Sequence, residues 1–92
     1  MAEPHEPSPS TEELRTRVRR FLVDNSLVPI EAQALSGDFN LIEGGVLDSV
    51  LILELVGFIE ELLGVLLSPD DIVAENFSTL EGIVELSARL RR

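Results

Sequence analysis

The stretch D-S-V-L-I-L-E-L-V-G-F-I-E-E-L-L-G, residues 48–64, limits what this chain can fold into more than any other part of it. An aspartate and a serine open a long apolar run free of proline, and a glycine suited to a left-handed cap follows, so the pattern predicts a helix over Ser49–Leu63. Rotation by about 100° per residue sorts that helix into two arcs. Leu51, Ile52, Leu55, Val56, Phe58, Ile59, Leu62 and Leu63 share a wide apolar side. The opposite arc, roughly 140° wide by the same rotation, collects Ser49, Val50, Leu53, Glu54, Gly57, Glu60 and Glu61. Every polar side chain falls on that arc, which is therefore the wet face, yet Val50 and Leu53 lie on it too. Two apolar residues beside a serine and three glutamates form a greasy centre with an acidic rim, the composition of a docking patch. Single exposed apolar residues and acidic helix faces are ordinary in themselves; the serine at the head of the face tilts the reading toward a used surface.

The remaining pattern supplies the helices that cover the apolar side. Ser10-Thr11-Glu12-Glu13 reads as a capping box, with the Ser10 hydroxyl serving an orphan backbone donor and Glu13 reaching back. Leu14, Val18, Phe21 and Leu22 then form one buried stripe that ends near Asn25. Residues 27–47 lose the period and are punctuated by Pro29, Gly37, Gly44 and Gly45, which predicts a long loop with room for a helical turn. Leu35, Phe39, Leu41, Ile42, Val46 and Leu47 are expected to pin it to the core. Ser68-Pro69-Asp70-Asp71 can start a short helix, with serine as cap and proline at the first position. Ser78-Thr79-Leu80-Glu81 repeats the capping box and opens a last helix whose Leu80, Ile83, Val84 and Leu90 face inward, while Arg89, Arg91 and Arg92 sit where the helix dipole favours cations. The expected fold is all-α, a four-helix bundle with a long first loop and a short third helix.

A chain of 92 residues has room for one such domain. Residues 1–9, M-A-E-P-H-E-P-S-P, cannot bury enough surface to offset the entropy of ordering, so they are expected to be a disordered tail before a domain over 10–92. The charge is uneven. Residues 21–88 hold 13 Asp and Glu and no Arg or Lys. Nucleic acid and anionic membrane are disfavoured as partners by that field, a basic protein partner is favoured, and self-association is opposed, which leaves a monomer as the expected state. There is no Cys, hence no disulfide, thiolate metal site or cysteine nucleophile. Asp48, Glu54, Glu60 and Glu61 interrupt the greasiest region, and the start lacks a basic segment followed by an apolar one, so a soluble, cytoplasmic protein is expected.

Ser49 is the residue with chemical interest. A hydrolase needs a base beside the hydroxyl and a group that orients the base. The chain offers His5 alone, in the expected tail, with no Lys or Cys, and Ser49 is followed by Val50 and Leu51 rather than by the glycine of a G-x-S-x-G turn. No enzyme is expected. The carboxylates are spread along helices without a chelating loop, so no metal site is expected either. Modification by another enzyme fits better, because a helix N-terminus with unpaired N–H groups favours a hydroxyl that carries phosphate. Asp48 can be the N-cap, a carboxylate that helps hold Mg²⁺ when a phosphate donor arrives, or both. Phosphorylation by a kinase is a variant of the same idea.

G-V-L-D-S-V with a glutamate five residues after the serine, then Ile59-Glu60-Glu61 and Gly64, resembles the acyl carrier proteins and their peptidyl carrier relatives, in which D-S-L marks the attachment serine. The tripeptide alone is weak. The wider constellation over 41–67, with Asn76-Phe77-Ser78-Thr79-Leu80 at the last helix, extends the resemblance over roughly residues 11–90. The resemblance implies an acyl-carrier type of bundle in which Ser49 receives a 4′-phosphopantetheine arm from coenzyme A and Asp48 assists the transferase and its Mg²⁺. It implies that Val50, Leu53, Glu54, Gly57, Glu60 and Glu61 belong to a partner-recognition helix. The arm would hold an acyl or aminoacyl group as a thioester, and the partners would be a phosphopantetheinyl transferase, a loading enzyme, and a downstream synthase or acyltransferase with a basic surface. Val50 stands where leucine is usual, Leu51, Ile52 and Leu62 stand where fatty-acid carriers often have polar residues, and Gly57 stands where a larger apolar residue is common, which should flatten the patch. These departures point away from primary fatty-acid synthesis and toward a free-standing carrier of polyketide or mixed peptide-polyketide biosynthesis. A D-alanyl or aminoacyl carrier of another pathway, and a helical adaptor without prosthetic group, are the alternatives.

Overall fold

The computed structural model describes residues 9–30 and 35–91. Those residues form four α-helices and no strand: α1 (Thr11–Asn25), α2 (Ser49–Leu63), α3 (Ala74–Phe77) and α4 (Leu80–Leu90). The expected tail lies outside the described residues apart from Pro9, and Arg92 lies outside them as well. Pro9, the last residue of the expected tail, is tied down, its carbonyl accepting a hydrogen bond from Arg91 Nη1 at 2.9 Å.

Each long helix is started by a side chain. Ser10 is extended, and its hydroxyl accepts from the Glu13 N–H at 3.1 Å. The return bond expected from Glu13 is absent, because its carboxylate pairs with Arg17 one turn on, at 3.4 Å. Asp48 caps α2, and Gly64 ends it with φ 70° and ψ 28°, its N–H reaching the Glu60 carbonyl. At α4 the cap is Thr79, which is extended and accepts from the Gly82 N–H at 2.9 Å. Ser78, the expected cap, has helical dihedrals and donates to the Glu75 carbonyl instead. Glu81, expected to close the box, is taken by Arg15 of α1 through two bonds of 2.8 and 2.9 Å.

The expected short third helix is divided. Ser68 and Asp71 satisfy each other's end of a single 3-10 turn, Pro69–Asp71. Ile72 and Val73 then leave helical geometry before the four residues of α3. The gap serves the core, because α3 buries Phe77 completely.

One apolar cluster joins all four helices. Leu14, Val18 and Leu22 of α1, Leu51, Leu55, Val56 and Ile59 of α2, and Leu80, Ile83, Val84 and Leu86 of α4 are buried in it. Full burial of such a side chain contributes roughly 2 kcal/mol, so these stripes supply the main driving force. α1 and α4 share the most extensive contact. Phe21 of α1 is only half-buried and leans on Phe58 of α2, with ring centroids 4.9 Å apart. Leu90 is likewise half-buried. Ser87, buried on α4, returns its hydroxyl to the Ile83 carbonyl at 2.8 Å and so leaves no unpaired polar atom in the core.

The described part of the first loop contains turns and no helix. Leu35, Leu41, Val46 and Leu47 are buried as expected, whereas Ile42 is half-buried and Phe39 is exposed, its ring lying against Gly44. A Cβ at Gly44 would also stand 2.9 Å from the backbone carbonyl oxygen of Asn40, so that position needs glycine for space. Two backbone bonds, Leu41 N–H to the Ser78 carbonyl at 2.7 Å and Glu81 N–H to the Gly37 carbonyl at 3.2 Å, fasten the loop to the start of α4. The loop thereby fixes where α2 begins.

Candidate functional site

The site begins at the last turn of the loop. Val46 and Leu47 both donate to the Leu41 carbonyl, at 2.9 and 3.1 Å, and both side chains are buried. The chain then emerges at Asp48 in an extended conformation (φ −127°, ψ −175°). Asp48 Oδ1 accepts from the Leu51 N–H at 2.9 Å, and its carbonyl accepts from the Ile52 N–H at 2.9 Å. Its other carboxylate oxygen has no partner among the described residues.

Ser49 is the first helical residue and is exposed. Its hydroxyl has no hydrogen-bond partner among the described residues, and His5 lies outside them. The N–H groups of Ser49 and Val50 have no partner among the described residues, so the positive end of the α2 dipole opens toward this hydroxyl. Among the described residues no three His, Cys, Asp or Glu side chains converge as metal ligands. The arrangement presents a hydroxyl and one carboxylate oxygen to whatever approaches.

The wet arc of α2 is placed largely as its periodicity requires. Val50 and Leu53 are 67 and 62 % exposed, and Glu54, Gly57 and Glu61 are exposed as well. Glu60 departs from expectation. It is half-buried, and its Oε2 accepts the Leu67 N–H at 2.9 Å, so its carboxylate braces the chain after α2. The acidic rim of the face is therefore Glu54 and Glu61.

Sequence periodicity on α2 alone misses Leu66, which is 84 % exposed. Gly64, Val65 and Leu66 border an open depression with Gly57, Glu60 and Glu61. A signal existed in the three successive apolar residues 65–67. In an extended segment neighbours point to opposite sides, so with Leu67 buried, Leu66 is directed outward.

Arg15 and Glu81 join α1 to α4. The hydrogen bonds from Arg15 hold the Glu81 carboxyl below its usual range, and the same contact raises the guanidinium. This pair is structural and takes no part in the α2 surface. No helix among the described residues is long and apolar enough to cross a membrane. Comparison with protein-family models, curated proteins and solved structures gave no match for this chain.

Proposed function

We propose that this chain is a free-standing acyl or peptidyl carrier, with Ser49 as the attachment point of a 4′-phosphopantetheine arm. The observation that carries the reading is the Ser49 hydroxyl itself. It is exposed at the first residue of a capped helix, with no base beside it among the described residues, next to an aspartate that has one oxygen in the cap and, among the same residues, one without a partner. Such a hydroxyl is a substrate for another enzyme's chemistry rather than a nucleophile in its own right. The dipole of α2 and the N–H groups of Ser49 and Val50, which have no partner among the described residues, favour the phosphodiester that modification would leave there.

The residues present suit the group. Ser49 Oγ would bond to its phosphorus, and the spare Asp48 oxygen would help hold Mg²⁺ in the complex with a phosphopantetheinyl transferase. When bound, the arm supplies a thiol that carries an acyl or aminoacyl group as a thioester. The chain catalyses nothing in this scheme. Val50, Leu53, Glu54 and Glu61 form the face offered to the transferase, the loading enzyme and a downstream synthase or acyltransferase, each of which needs a basic surface to match it. The setting that fits is the cytoplasm, in polyketide or mixed peptide-polyketide biosynthesis.

Incubation with coenzyme A, Mg²⁺ and a broad-specificity transferase is expected to add one phosphopantetheinyl mass, and Ser49→Ala to abolish the gain. A wild-type chain left unmodified by several such transferases overturns the proposal. The exposure of Val50 and Leu53 also favours a second reading, a helical adaptor with no prosthetic group. In that case Ser49→Ala leaves function intact while Leu53→Arg destroys it.

A further inference from the structure

We propose that the cleft between α1 and α2, floored by Phe21 and Phe58 and flanked by Arg17 and Arg20, docks a short acidic segment of a partner protein through one apolar side chain set between carboxylates. The sequence concentrates cations on α1. Four of the seven arginines lie at positions 15–20, while residues 21–88 hold none. Rotation of about 100° per residue divides those four. Arg15 and Arg19 fall on the side toward α4, where Arg15 makes its two bonds to Glu81 and Arg19 adds a favourable charge to the same carboxylate. The fold uses that pair. Arg17 and Arg20 fall on the other flank and border an open cleft of about 540 Å³ together with Phe21, Asp24 and Phe58.

The floor of the cleft is aromatic. Phe21 and Phe58 are each half-buried and pack on the core from outside, with ring centroids 4.9 Å apart and ring planes 31° from parallel. Two rings side by side at the surface make a flat apolar seat, and aromatic side chains are enriched at the centres of interfaces. The cations above it are loosely held. Arg17 meets Glu13 at 3.4 Å and Arg20 meets Asp24 at 3.8 Å, with the two arginine side chains 52 and 84 % exposed. Exposed pairs one helical turn apart contribute little, and a cation placed before its acid, as Arg20 is before Asp24, has the weaker order. A carboxylate arriving from outside can therefore replace either acid at small cost.

Charge and openness select the occupant. Two guanidinium groups flanking an apolar floor match an apolar side chain with Asp or Glu on both sides of it. Sites for small molecules enclose most of the ligand, which a cleft with so exposed a rim does not do. Two copies of this chain, each with a net charge of −10, repel one another as wholes. The occupant is thus a segment of another protein. The cleft uses neither Ser49 nor the open arc of α2, so the inference holds whether or not Ser49 carries an arm.

The test is a titration of the isotope-labelled full chain with a synthetic peptide that carries one central leucine flanked by glutamates, beside phenylacetate as a small-acid control. Amide shifts are expected to centre on residues 16–25 and Phe58. Replacing the peptide's leucine by alanine, or making Arg20→Glu in the chain, should each weaken binding roughly tenfold or more. Asp24→Asn, which removes the internal competitor for Arg20, should tighten it. Arg20 and Asp24 are both exposed, so these variants reach the cleft without entering the core. No shift at all, shifts spread evenly over the surface, or affinities unchanged by Arg20→Glu or by the peptide's loss of leucine overturn the proposal. Phenylacetate binding as tightly as the peptide, or a dimer of the free chain that Arg20→Glu abolishes, overturns it too. Because Ser49 stays unmodified throughout, failure here is separate from a failure of Ser49 to accept an arm.

Discussion

The carboxylate of Glu60 accepts the backbone N–H of Leu67, seven residues on, at 2.9 Å, and so holds the chain that leaves α2 against the helix it has just left. Leu67 is 8 % exposed, so loss of this acceptor leaves a donor close to the core without a partner.

Charge reversal should therefore separate two glutamates that look alike in the sequence. Glu60→Lys is expected to lower stability by about 1–2 kcal/mol, the usual cost of stranding a part-buried donor. Glu54→Lys, on the open face, should stay within about 0.5 kcal/mol of wild type. Both should slow association with a basic partner. Urea denaturation of the two variants checks the first contrast, and equal midpoints for both would contradict the bracing role of Glu60.

Asp48 can be tested for its two roles separately. Asp48→Ala removes the bond to the Leu51 N–H and should cost about 1 kcal/mol. Asp48→Asn keeps an oxygen acceptor, and asparagine caps as well as aspartate, so stability should return nearly to wild type. If the carboxylate assists arm transfer through Mg²⁺, Asp48→Asn should still be modified more slowly at Ser49. Intact-mass time courses beside thermal melts decide this; full-rate modification of Asp48→Asn would confine the residue to capping.

The contact between Arg15 and Glu81 gives stability a specific pH dependence. Its hydrogen bonds lower the Glu81 pKa in the folded state relative to the unfolded chain. The stabilisation is therefore fully present above the unfolded carboxyl pKa of roughly 4.3. It is lost as pH falls through the lower folded value. The Glu81 side chain is 42 % exposed, so water screens the pair and the effect is small. Glu81→Gln should be less stable than wild type at pH 7, and the difference should shrink to nothing in strong acid. Denaturation midpoints of the two proteins across that range are the measurement, and a difference independent of pH would exclude the ion pair as its source.

The bounds of α2 were legible because both ends carry local chemistry, an aspartate that can accept from the third N–H and a glycine that can turn left-handed. The sorting of its faces was legible for the same reason, since period alone decides which residues a single buried side can hold. Contacts between distant segments were not. Glu13 and Glu81 both stood at capping-box positions, yet each found an arginine, and no local pattern announces that Arg15 lies across from Glu81. Ser78 and Thr79 are both competent caps, and only Thr79 has the extended backbone a cap requires. Ser68 and Asp71 form their box around a single turn, so a start signal read as a helix became a 3-10 turn with α3 set apart from it. Phe39 belonged by its hydrophobicity to the loop's anchors, but the space beside Gly44 lies at the surface.

The same substitution at Gly57 within α2 and at Gly64 that caps it should act with opposite sign. Gly64 holds φ 70°, a conformation that an alanine adopts at a cost of about 1 kcal/mol or more, so Gly64→Ala should destabilise the protein and loosen the turn that carries Leu66. Gly57 has no such conformation, and an added Cβ meets no atom within 4 Å. Alanine there relieves the entropic cost of a mid-helix glycine, and Gly57→Ala should stabilise by about 0.5–1 kcal/mol. Denaturant unfolding with unchanged m-values measures both. If Gly57→Ala instead destabilises, the glycine answers an internal need of the chain that the open space beside it does not reveal.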